Sequence, residues 1–271
     1  MDTTDGVSAY SIRSWRMRIE LNDRHYAGMK KLKLRGKDLD NPPREVFHLT
    51  ELQVLDLSPE RQACLYYHLR VVPPRIARLL NLRVLMLDTN DLTQIPPEIG
   101  MLTSLEKLSL SNNVLSKLPT EFGNLQNLTS LHAANNSFEM FPAVVCTLKS
   151  VTFMDFSDNL LITLPDSLGD MVCLESLLLF SNRLQSLPAS LGALAQLRCL
   201  WIGQNRLRAL PPSVAQLQLL DWGPTHTWSS ALDGNPLEEP PLDVCKRGVT
   251  SIAEYFKNNH AAAGNETHES E

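Results

Sequence analysis

LEKLSLSNNVLSKLPTEFGNLQN, residues 105–127, carries the pattern that decides the architecture. Counting its first leucine as position one, leucine recurs at positions four, six, eleven and fourteen, with asparagine at nine and proline at fifteen. Apolar residues follow at eighteen and twenty-one. Five more units match the frame with conservative swaps, beginning at Leu82, Leu128, Val151, Leu174 and Leu197. Their asparagines, Asn90, Asn136, Asn159, Asn182 and Asn205, join Asn113 in a series spaced by 23 residues, and Asn235 continues it after a longer gap. A fixed period of this length marks stacked repeats, each able to bury its apolar face only against its neighbours.

Outward from these units the frame loosens. A unit beginning at Met29 keeps the spacing through Leu32, Leu34, Leu39, Pro43, Val46 and Leu49 but holds Lys37 in the asparagine slot. The next, from Leu52, keeps Leu55 and Leu57, yet its proline arrives at Pro73 where position 66 is due. Seven residues are extra there, within SPERQACLYYH. Asn235 is also seven residues late, so LLDWGPTHTW is a longer connection or an irregular strand, and segments 58–68 and 220–232 carry no regular prediction.

Each part of the frame has a physical reading. In the strand segment, positions four and six point into the core while three, five and seven point to the opposite face. The asparagine turns the chain, and its amide can satisfy backbone groups that the turn leaves buried, so the series predicts an asparagine ladder. Proline then ends the extended stretch and starts a helical turn, where a missing N–H costs nothing. The predicted body is an α/β solenoid, with a parallel β-sheet on its concave face and short helical turns on its convex face.

Both ends of such a stack need covers. Ile12, Trp15, Ile19 and Tyr26 fall at helical spacing and predict an amphipathic helix over about residues 8–27. The expected organisation is an N-terminal capping helix in 1–28, an array of about nine repeats in 29–245 and a C-terminal capping helix in 246–258. In that last helix Ile252, Tyr255 and Phe256 are expected to close the core, followed by a disordered tail over 259–271.

The stretches LTQIPPEIGMLTSL, LSKLPTEFGNLQNL and LQSLPASLGALAQL resemble the intracellular leucine-rich repeat class of Scribble and the Ras-suppressor protein. The ending NPLEEPPLDVCKRGVTSIAEYF is similar to the last repeat and capping helix of that class, so the likeness covers about residues 29–256. It implies a leucine-rich repeat horseshoe and a non-enzymatic scaffold that binds protein partners. No partner-binding motif carries over, because the shared frame is structural.

Hydrophobic residues make up 43% and charged residues 20%, the balance of a folded soluble chain. Net charge is -5, but residues 1–37 hold nine basic against four acidic residues, so the excess of acid lies beyond them. The start, MDTTDGVSAYSIRSW, lacks the apolar core of a secretory leader, and no run reaches the ~18 apolar residues of a membrane helix. Cys64, Cys146, Cys173, Cys199 and Cys245 are odd in number and scattered, which fits reduced thiols in a cytoplasmic protein. An extracellular receptor-type module would need a leader and disulfide caps.

Chemistry must then lie at the outward strand positions. Phe153, Leu178, Phe180 and Trp201 come from three successive repeats and form an apolar cluster that the frame does not require. With His132, Asp155, Asp158, Arg183 and Arg206 around it, the cluster is the expected protein-partner site on the concave face. The alternative is that the segment around Trp222 and Trp228 covers it. Nucleic acid is not expected, for want of surrounding phosphate-neutralising residues. Ser109, His132 and Asp155 share a column, but an open sheet offers no oxyanion hole or dry pocket, so a polar strip is expected and not an enzyme.

Cys64 and His68 are too few for zinc, and no metal or cofactor is expected. Lys31, Lys33 and Arg35 stripe the first strand, where charge discourages edge pairing or could touch an anionic surface. The expected protein is a monomeric signalling scaffold or adaptor, with a regulatory subunit that targets a phosphatase, GTPase or ubiquitin ligase as the alternative.

Overall fold

The computed structural model describes residues 7–60, 66–221 and 231–266, with the side chains of the last helix described to residue 259. The chain divides into two compact units, Met1–Ser137 and Phe138–Glu271. The fold is that of a leucine-rich repeat solenoid.

The first unit contains α1 (Ala9–Arg16), β1 (Lys31–Lys33), α2 (Lys37–Asp40), β2 (Val54–Asp56), β3 (Val84–Met86), β4 (Lys107–Ser109) and β5 (Ser130–His132). The strands pair in parallel and in sequence order, at the same register in every repeat: Leu32, Leu55, Leu85, Leu108 and Leu131 line up. All five are buried, as position four predicts.

The second unit contains β6 (Phe153–Asp155), β7 (Ser176–Leu178), β8 (Cys199–Trp201), α3 (Leu242–Cys245) and α4 (Val249–Glu266). Met154, Leu177 and Leu200 are the aligned, buried row here. In both units the far side of each repeat is a five-residue 3₁₀ turn, such as Thr120–Asn124 or Asp166–Asp170. The frame proline occupies the residue before the turn, and in three turns a second proline, Pro74, Pro97 or Pro212, is the first residue. The frame proline's carbonyl accepts the i+3 bond that begins the turn, from Phe122 to Pro119 (3.1 Å) and from Leu168 to Pro165 (3.0 Å). Neighbouring turns approach so closely that a Cβ on Gly192 would lie 2.5 Å from the Ser213 carbonyl oxygen.

The asparagine ladder forms as predicted. Asn113 Nδ2 donates to Leu87 O (2.9 Å) and Leu110 O (3.0 Å), while its Oδ1 accepts from Leu92 N–H (3.1 Å). One side chain thereby satisfies carbonyls of two repeats and an amide of the earlier one. Asn182 and Asn205 do the same in the second unit. The residue before each asparagine takes a left-handed conformation, with φ from 51° to 58° at Thr89, Asn112, Asn135, Asp158, Ser181 and Gln204. Three of these six are asparagine or aspartate, the residues besides glycine that enter this region at least cost.

The ladder also resolves both insertions. Leu69 N–H bonds Asn90 Oδ1 (2.8 Å), the role Leu92 plays for Asn113, so the frame resumes at Leu69 after seven extra residues. Leu207 N–H bonds Asn235 Oδ1 (3.1 Å) across 28 residues in place of 21. Ile202 N–H donates to Ala231 O and Gln204 N–H to Asp233 O, so residues 231–233 take a ninth ladder position without becoming a regular strand. The intervening 222–230 and 61–65 lie outside the described residues.

The covers differ from expectation. Helix α1 is only eight residues long, starting after the Ser8 cap and buttressed by Ser11 Oγ on Glu45 (2.8 Å). Asp23 Oδ1 accepts from the amides of His25 and Tyr26, a local turn that competes with helix. The chain instead bridges antiparallel to β1 through Glu20 and Lys31. Ile19 and Tyr26 thus stand outside the helix that their spacing suggested. At the other end α4 begins at Val249 and continues to Glu266, through residues predicted as tail; the alanines 261–263 favour it. Ile252 is fully buried against the stack, but Tyr255 and Phe256 remain half-exposed and do not close the core as expected.

Candidate functional site

The strand face of the second unit holds the predicted apolar cluster. Asp155, Leu178 and Trp201 are successive partners across β6, β7 and β8, as are Phe153, Ser176 and Cys199. Phe180 lies two residues beyond Leu178 and shares its side of the strand. Its carbonyl accepts from Asp158 N–H (2.8 Å), continuing the ladder past the end of the strands.

All four apolar side chains are half-buried. Their fixed spacing follows from the ladder, which places adjacent strands about 4.8 Å apart. Asp155 Oδ1 is held by Ser157 N–H (2.9 Å), which orients the carboxylate at the cluster's margin.

Arg183 and Arg206 are adjacent in the next ladder step, where their amides bond Leu161 O and Leu184 O (2.9 Å each). Both side chains are exposed. The same face carries Cys199, whose thiol burial pushes above its usual range. Trp222 and Trp228 lie outside the described residues.

His132 belongs to the first unit, where the hydroxyl of its column neighbour Ser109 is engaged by a carboxylate. The Ser109 hydroxyl donates to Asp88 Oδ1 at 2.6 Å, and His132 Nε2 sits 3.0 Å from Ser130 Oγ. Ser109 is therefore committed to a carboxylate, although it pairs with His132 in the strand register. Burial raises the Asp88 carboxyl above its usual value, against the lowering effect of Ser109 and of Ser111 N–H.

The basic stripe on β1 is neutralised residue by residue. Lys31 Nζ meets Asp23 Oδ2 at 2.6 Å, Lys33 Nζ meets Asp56 Oδ2 at 2.9 Å and Arg35 Nε meets Glu60 at 3.0 Å. Lys31 and its hydrogen bond hold the Asp23 carboxyl below its ordinary range. Tyr26, half-buried beside them, reaches Met86 with its hydroxyl, and burial raises its phenol. These charges are matched within the chain.

Cys64 of the Cys64–His68 pair lies outside the described residues; Tyr66 is exposed. Among the described residues no group of three or more His, Cys, Asp or Glu could hold a metal, and no helix is long and apolar enough to cross a membrane.

The comparisons agree with this geometry. Residues 108–202 match the family model of a leucine-rich repeat region. No curated protein matches the chain. Among solved structures, the chain is similar to a leucine-rich repeat protein of Leptospira interrogans, at 33% identity and a TM-score of 0.70, over 80% of this chain and 52% of that one.

It is also similar to plant peptide hormone receptor RGFR1 in complex with RGF2, at 25% identity and a TM-score of 0.59, over 78% of this chain and 31% of that one. A third likeness is to the ectodomain of the Arabidopsis thaliana membrane receptor kinase GASSHO1/SCHENGEN3 in complex with CASPARIAN STRIP INTEGRITY FACTOR 2, at 25% identity and a TM-score of 0.60. That match covers 73% of this chain and 25% of the other. The chain thus spans about half the length of the leptospiral protein and less than a third of either receptor. A leucine-rich repeat fold is typically a non-catalytic module for protein–protein interaction.

Proposed function

We propose that the chain acts as a cytoplasmic scaffold or adaptor in signal transduction, seating a protein partner on the strand face of its second unit. Phe153, Leu178, Phe180 and Trp201 supply the apolar anchor surface, with Asp155, Arg183 and Arg206 as its polar margin. The observation that carries this reading is the register of β6, β7 and β8, which sets these side chains side by side where the repeat itself needs none. Aromatic and arginine side chains so grouped are the usual contributors to binding energy at protein interfaces.

Two similar structures are complexes, one with RGF2 and one with CASPARIAN STRIP INTEGRITY FACTOR 2, which supports a recognition role for this fold. Free thiols at Cys146, Cys173, Cys199 and Cys245 suit a reducing compartment. The test is an affinity capture from cell extract with wild type and with Phe180→Ala/Trp201→Ala, after matching their circular dichroism. Partners retained by the wild type and lost by the variant support the reading; an identical set rejects it.

A further inference from the structure

Where α4 crosses the last repeats, the second unit carries an open groove of about 550 Å³, a volume in the range of ligand sites. Its walls are Leu187 and Leu210 from successive repeats, Pro211 and Pro212 from the last 3₁₀ turn, and Tyr255 and Phe256 from α4. Ile252 anchors the helix on the stack, and Tyr255 and Phe256, three and four residues on, stay half-exposed and line the groove. Their rings meet edge-on, with centroids 5.6 Å apart at 80°, and present an apolar wall.

The polar lining is sparse and directional: Ser186, Asn259 and the single charged residue Glu239. Glu239 is held by backbone on both sides, its N–H on Arg208 O and its carbonyl receiving Leu210 N–H at 2.8 Å. Its side chain is exposed. The other three acids of residues 233–243 each have a cation: Asp233 with Lys246 (2.7 Å), Glu238 with Arg208 (2.9 Å) and Asp243 with Arg247 (3.3 Å). Glu239 alone of the four has none among the described residues.

We infer that this groove binds an extended peptide segment of a partner protein, taking a proline or leucine side chain between the aromatic and proline walls and a lysine or arginine beside Glu239. Aromatic and proline surfaces suit a preformed extended chain, which loses little entropy on docking. The Ser186 hydroxyl and Asn259 amide can meet the carbonyls and amides that such a chain leaves unpaired. The unmatched Glu239 carboxylate selects the sign of the neighbouring charge. This site uses none of the residues of the strand-face cluster and stands or falls apart from it.

The test pans a phage-displayed library of random heptapeptides against the intact chain and measures the enriched peptides by fluorescence polarisation. Enriched sequences should pair proline or leucine with lysine or arginine. Glu239→Arg, a change at an exposed position, should weaken them about tenfold and favour counterparts in which glutamate replaces the basic residue. Phe256→Ala should weaken binding at least about tenfold, while Phe180→Ala/Trp201→Ala should leave it unchanged. Absence of enrichment, enrichment without a basic residue, or affinity indifferent to Glu239→Arg in a variant of unchanged melting temperature overturns the inference.

Discussion

Replacing Asn182 with alanine removes one rung of the ladder, and the hydrogen-bond pattern says which groups are left bare. Asn182 Nδ2 donates to Phe156 O at 3.0 Å and Leu179 O at 3.1 Å, and its Oδ1 accepts from Leu161 N–H at 3.0 Å. The two carbonyls keep other donors, since Phe156 O still receives Asn159 and Leu179 O still receives Asn205. Leu161 N–H loses the acceptor that the ladder supplies, in a site where Asn182 itself is only 7% exposed.

A buried orphan donor costs about 1–3 kcal/mol, and the lost carbonyl bonds with the small void add about 1 kcal/mol. The expected loss is therefore about 2–4 kcal/mol, against less than about 0.5 kcal/mol for Arg183→Ala on the surface beside it. Asn182→Asp sharpens the test. It restores the acceptor, but as an anion it faces two carbonyl oxygens, so burial and those oxygens raise its folded-state pKa above the ordinary value of about 3.9. A raised carboxyl contributes stability below the unfolded-state pKa and loses it as pH rises. Asn182→Asp should thus match the wild type most closely near pH 3–4 and fall further behind through pH 7.

Urea unfolding followed by circular dichroism gives the stability difference, and amide hydrogen exchange at Leu161 reads the orphaned donor directly. Because repeats can open separately, the exchange rate is the more local witness. A loss below about 0.5 kcal/mol with unchanged Leu161 exchange, or an aspartate variant indifferent to pH, would refute the reasoning.

Gly192→Ala drives a Cβ to 2.5 Å from Ser213 O and 2.7 Å from Ser213 Cβ, so thermal unfolding should show about 1–3 kcal/mol of destabilisation; an unchanged melting temperature contradicts the close approach. Asp88→Asn keeps an acceptor for Ser109 and Ser111 while removing a charge whose pKa burial has raised. Its stability relative to wild type should therefore increase from acid towards pH 7, as urea midpoints at several pH values would show; a variant that loses ground to the wild type between pH 4 and pH 7 is the opposite sign. Iodoacetamide should label exposed Cys173 first, well ahead of buried Cys146 and of Cys245, whose thiol burial pushes up to about 11. Peptide mass spectrometry follows the order, and faster modification of Cys245 than of Cys173 would contradict the burial pattern.

The repeat was legible because each frame residue has a separate backbone reason to be there. Leucines at positions four and six must face the core, asparagine must bridge two turns, and proline must stand just before the 3₁₀ turn and accept its first bond. Even the insertions could be counted in the sequence, since Asn90 and Asn235 meet Leu69 and Leu207 after the seven-residue excess that the spacing gave. The strand-face cluster was legible for the same reason, because fixed register turns columns of sequence into neighbours in space.

What depended on unrepeated geometry was not. Nothing in the spacing of Ile12, Trp15, Ile19 and Tyr26 reveals that Asp23 will capture two amides and end any helix there. The match of Lys33 with Asp56 could have been seen, since both hold position five of adjacent repeats, but Lys31 with Asp23 needed the fold of the terminal segment. The half-exposure of Tyr255 and Phe256 depends on where α4 crosses the final turn, which no period encodes.

The most direct measurement of the central claim is the comparison of partners captured by the wild type and by Phe180→Ala/Trp201→Ala, each shown to fold alike. A strand-face recognition module predicts that specific partners disappear with the two aromatic rings and return when they are restored. A partner set that is the same with and without them would contradict it.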